Sequence, residues 1–122
     1  MIVQIGDVYW FRVVNPRTDE SEVRPIVVLS IEDDNCLIAS FATITTSEIE
    51  DFDGKYDKWK SPIFGWRALG LRDASYVKAN CLASTETMLF STNDYIGKMN
   101  RFDLDSALAK IEDFLNSDEE AW

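Results

Sequence analysis

The apolar residues of this chain sit in short blocks up to about residue 99 and then switch to a helical period, and that switch limits the architectures open to it. Residues 8–14 (Val-Tyr-Trp-Phe-Arg-Val-Val) are aromatic and β-branched, which fits a pleated, half-buried strand. Residues 26–31 read as a strand buried on both faces. It is entered through Arg24-Pro25, where a residue without an N–H suits a strand's first position or an edge. A polar turn at 32–35 leads to a third strand at 36–41, and the three make an antiparallel meander. Shorter strands are expected at 58–64, limited by Pro62, and at 75–78, 87–90 and 95–99. Leu104, Ala107, Leu108, Ile111 and Leu115 then recur at i, i+3, i+4, i+7 and i+11, which predicts an amphipathic helix over about 103–116. Asp103 is its expected N-cap and Asn116-Ser117 its end. Several short strands and one terminal helix imply a mainly β domain: a small barrel or curled antiparallel sheet whose open side the C-terminal α-helix covers. Residues 1–117 form that single domain, and 118–122 an acidic, solvated tail ending in Trp122, which is frayed or folded back.

Charge and composition remove several functions. The 122 residues hold 22 acidic and 12 basic side chains, a formal net charge of −10, which repels polyanions at long range. The exception is residues 55–78, where Lys55, Lys58, Lys60, Arg67, Arg72 and Lys78 outnumber Asp57 and Asp73 and aromatic residues are interleaved. A polyanion is to be sought there first. The acidic run at 48–53 reads as a solvated loop, or as an internal mimic of phosphate in a basic groove. With no histidine, the chain cannot assemble a Ser-His-Asp triad, a Cys-His dyad or a histidine metal site. Five glycines with no Gly-rich phosphate loop exclude the common nucleotide fingerprints, so neither metal nor cofactor is expected. Cys36 and Cys81 lie in apolar surroundings and read as two small buried thiols. The start lacks a basic n-region and the longest apolar run covers residues 26–29, so the expectation is a cytoplasmic protein with no membrane span.

Taken in order, Gly6-Asp7-Val8 before an aromatic strand, a polar loop, then Arg24-Pro25-Ile26-Val27-Val28-Leu29-Ser30 resembles the opening of the MazF/PemK family of toxin endoribonucleases. Residues 75–82 (Ser-Tyr-Val-Lys-Ala-Asn-Cys-Leu), then Ile96-Gly97-Lys98-Met99 and a helix, resemble that family's ending. The resemblance implies an SH3-like barrel with a C-terminal helix, a homodimer, a cognate antitoxin as partner, and metal-independent cleavage of single-stranded RNA. It places the catalytic arginine at Arg24 and a catalytic hydroxyl at the end of the next strand, where either Ala42 or Thr43 falls at the position. Thr43 is the residue that can supply the hydroxyl.

The chemistry asks little of the protein. RNA carries its own nucleophile in the 2′-OH, so a site must align that oxygen with phosphorus, stabilise the phosphoryl oxygens and help the 5′-oxygen depart. A guanidinium matches phosphate in a planar, bidentate way, which assigns Arg24 electrostatic stabilisation first. Arg17 in the preceding loop adds charge. Lys58, Trp59, Lys60, Trp66 and Arg67 are the expected contacts to backbone and bases, the rings serving as stacking platforms. Two functions stay open at the level of sequence. One is an RNA-cleaving toxin. The other is a catalytically inactive module of the same fold acting through protein–protein contacts, with Arg24 merely paired to Glu22 or Asp19.

Overall fold

The computed structural model describes residues 2–122. Three long strands, β1 (Asp7–Val14), β2 (Ser21–Asp34) and β3 (Cys36–Thr45), form the expected antiparallel meander. Then come β4 (Lys60–Ile63), a one-turn helix α1 (Trp66–Leu69), β5 (Ser75–Glu86), β6 (Tyr95–Lys98) and the terminal helix α2 (Arg101–Leu115). The sheet order is β4-β5-β3-β2-β1-β6. It curls but does not close: β4 and β6 are its edges, and α1 lies against β6. The approach is close enough that a Cβ on Gly97 in β6 would sit 2.2 Å from the Leu69 carbonyl oxygen, so only glycine fits there.

Strand alternation produces two cores, one on each face. Val8, Val27, Ala42, Ile44, Val77 and Ala79 point to the side covered by Ala107, Ile111 and Phe114 of α2. Tyr9, Val13, Ile26, Val28, Ala39 and Phe41 point to the other, where Phe90 fills the centre and stacks on Tyr9 at 4.8 Å. Burying each Val or Ile contributes about 1.5–3 kcal/mol, so both faces contribute to stability. Pro25 is not at the start of its strand, yet the edge argument holds locally. It pairs with Trp10 of β1, and the ladder with β3 begins one residue later, at Ile26–Thr43.

Several expectations shift. The helix starts at Arg101, capped by Asn100 and not Asp103: the Asn100 Oδ1 accepts from the Asp103 N–H at 2.8 Å, and the Asp103 carboxylate accepts in return from Asn100 Nδ2 at 2.9 Å. That carboxylate also accepts the N–H groups of Phe64 and Gly65, which is why an acid can be buried there. Three donors at one site outweigh the N-cap preference. Leu115 is exposed and Phe114 is buried in its place against Trp59. Residues 87–89 form a 3₁₀ turn where a strand was expected, because β5 runs on to Glu86. Cys81 is buried, but Cys36 is exposed beside the left-handed Asn35 that turns β2 into β3. The tail is not simply solvated: the Trp122 N–H donates to the Asn80 carbonyl at 2.9 Å and the ring packs on the second core.

Candidate functional site

Where β2 and β3 part, the sheet opens. Extending the register Ile26–Thr43 by two places sets Arg24 opposite Thr45, with no ladder between them. Arg24 lies opposite Phe11 in β1, and Lys78 of β5 lies opposite Thr43. Directly opposed residues share a face, so Arg24, Thr43, Thr45 and Lys78 all point to the side away from α2. Two hollows meet at Arg24. The smaller, about 90 Å³, is lined by Arg24, Thr43, Lys78 and Trp122 with the carboxylates of Glu20 and Glu22. The larger, about 370 Å³, is lined by Arg24, Thr45, Thr46, Arg72 and the half-exposed Trp10.

The guanidinium of Arg24 is held by the Glu22 carboxylate at 2.6 Å, at 38% side-chain exposure. Such a pair is weak in water and exchangeable, so an incoming phosphate can take the carboxylate's place. Thr43 is nearly inaccessible, at 2% exposure. Its hydroxyl engages the thiol of Cys81, whose pKa burial pushes up while Lys78 and Thr43 pull it back. Thr45 is also buried, its Oγ1 accepting the Ser47 N–H at 3.1 Å. Among the described residues no group of three or more Asp, Glu or Cys is arranged to hold a metal ion.

The other expected contacts scatter. Trp59 lies in the first core against Phe114, and Lys60 is buried, donating to Asp57, Ser47 Oγ and the Glu48 carbonyl. Neither can meet a nucleotide. The same contacts tie down the acidic loop at 48–53, and none of its residues lines either hollow. Trp66 and Arg67 sit on α1, the guanidinium 4.9 Å from the ring centroid, and line neither hollow. Arg17 and Lys58 are surface cations, but both are engaged by the tail: Arg17 with Glu120, and Lys58 with Glu119 at 2.6 Å. Sequence reasoning missed Thr45, Lys78, Arg72 and Trp122 as neighbours of Arg24. The alternation Thr43/Thr45 was readable, since both must share a face, but the register that sets them against Arg24 was not.

A curled, incomplete antiparallel sheet with one capping helix is the architecture of a small, mainly β, SH3-like domain. More particularly, it is the fold of the MazF toxins. MazF-mt6 of Mycobacterium tuberculosis superposes with a TM-score of 0.63 at 16% identity, over 92% of this chain and 98% of that one. Two crystal forms of MazE-MazF from Deinococcus radiodurans give 0.63 and 0.64 at 13% identity, over 94% of this chain and 97% and 96% of theirs. No family model and no curated protein matches the sequence itself. No helix among the described residues is long and apolar enough to cross a membrane.

Proposed function

We propose that this protein is the toxin of a toxin–antitoxin pair and that it cleaves single-stranded RNA through the RNA's own 2′-OH. The observation that carries the reading is Arg24. It stands at the opening between β2 and β3, facing a hydroxyl-bearing strand, in a fold shared with MazF toxins.

In this reading the scissile phosphate displaces Glu22 from the guanidinium, which then stabilises the charge on the phosphoryl oxygens. The released carboxylate lies beside the 2′-OH and accepts its proton. The 2′-oxygen bonds to phosphorus as the bond to the 5′-oxygen breaks, leaving a cyclic phosphate, and the departing 5′-oxygen takes a proton from water to leave as a 5′-hydroxyl. Thr45, opposite Arg24, and Thr43, beside Lys78, are the hydroxyls on the same face; both are buried, so they reach the phosphoryl group only once the cleft opens. Trp10 at the mouth of the larger hollow offers a ring to a neighbouring base, a place that sequence reasoning gave to Trp59 and Trp66. A homodimer and an antitoxin belong to the same proposal, and two of the similar structures contain a MazE partner.

Incubating purified protein with single-stranded RNA in EDTA tests it. Cleavage is expected, falling about 100-fold or more in Arg24→Ala, the usual effect of losing one group that stabilises transition-state charge. Glu22→Gln should bind RNA more tightly and cut it more slowly. A folded wild-type protein that leaves RNA intact overturns the reading in favour of a non-catalytic module.

A further inference from the structure

The strongly acidic C-terminal segment is the part of the chain least expected to touch a polyanion site, yet it lies across one. After α2 ends, the chain leaves the helix-covered face and crosses to the other. Glu119 pairs with Lys58, and Glu120 pairs with Arg17 in the β1–β2 loop. Trp122 docks on the second core and walls the small hollow together with Arg24, Thr43 and Lys78. The segment therefore engages two of the cations expected to bind RNA and closes off the hydroxyl of Thr43.

We propose that residues 118–122 are an autoinhibitory strap, in which two carboxylates stand in for phosphates and Trp122 stands in for a base, so that the groove opens to single-stranded nucleic acid only when the strap leaves. The proposal rests on the groove being the nucleic-acid site proposed above. The strap is built to be displaced. Its Arg17–Glu120 pair is solvent-exposed and its Lys58–Glu119 pair keeps about a third of each side chain in water, and such surface pairs contribute little individually. Its Trp122 N–H donates to the Asn80 carbonyl, which belongs to a bulge and not to the β3–β5 ladder. A multivalent polyanion offers the same cations the same chemistry with more contacts.

The test measures binding of a fluorescein-labelled, mixed-sequence single-stranded 2′-O-methyl RNA, which cannot be cut, alongside cleavage of the ordinary RNA. The full chain is compared with a chain ending at Ser117 and with Glu119→Gln/Glu120→Gln, which keeps Trp122 in the core. A strap docked nine-tenths of the time weakens apparent affinity about tenfold, so the shortened chain should bind about tenfold more tightly and the double variant should move the same way. Glu112→Gln/Asp113→Asn makes the same change in net charge as the double variant, on exposed positions of α2, and should leave affinity nearly unchanged. Equal affinity in the full and shortened chains, or an equal gain from the α2 control, overturns the strap. If strap variants bind more tightly but nothing is cleaved, the strap stands and the nuclease reading falls; if the full chain cleaves and the strap variants bind no better, the reverse holds.

Discussion

Lys58 and Lys60 are two residues apart, and each meets a carboxylate, yet they belong to different parts of the molecule's economy. The Lys60 side chain is 7% exposed, and its ammonium donates to Asp57 at 2.7 Å, to Ser47 and to the Glu48 carbonyl, so all three of its protons are used. The Lys58 side chain is 34% exposed and pairs with Glu119 across 61 residues of sequence. The first cation holds a loop in place and is unavailable to any ligand. The second is engaged by a segment that can leave. A basic, aromatic-rich stretch is thus not one surface: what decides a cation's use is whether its partner is fixed by the fold or merely resting on it.

The contrast can be broken by substitution. Lys60→Met keeps the stem but leaves the Asp57 carboxylate and two acceptors without their donor. It should cost about 3 kcal/mol, read as a lowered midpoint in urea. Asp57→Asn should give a smaller loss that depends on pH. The Asp57 carboxyl is held below the ordinary carboxylate range, first by its hydrogen bond from Lys60 and then by the N–H groups of Glu50 and Asp51. A depressed folded value means that this stability is present above the unfolded value and lost as the pH falls through the folded one. The gap in Tm between wild type and Asp57→Asn should therefore persist at neutral pH and shrink below about pH 4. Lys58→Met should change global stability by less than about 0.5 kcal/mol. It should instead speed amide exchange in residues 118–122, a difference the Lys60 variant reverses in kind by loosening residues 47–51.

The strands and the final helix were legible because alternation and the 3.6 period write burial directly into the sequence. Residues 8–14 and 26–31 and the Ala107/Ile111 stripe all lie where those periods put them. Arg24 was legible as a candidate through its motif. Its partners were not, since Thr45 and Lys78 reach it only through pairing registers, and register depends on bulges that no local pattern announces. Trp59 and Lys60 misled for a related reason. The basic, aromatic pattern around them reads as a surface, but the turn before β4 points both inward, toward Phe114 and Asp57. Asp103 was read as a cap because caps are local, whereas its backbone donors at Phe64 and Gly65 lie nearly forty positions away.

The irregularity in β5 has its own consequence. Between the pairs Ala42–Leu82 and Thr43–Lys78 the strand carries three residues that β3 does not match. One of them, Asn80, offers its carbonyl to Trp122. The terminal segment thus plugs into spare valence and competes with no rung of the sheet. It can come and go as a latch does on a finished box, without any joint of the box having to be remade.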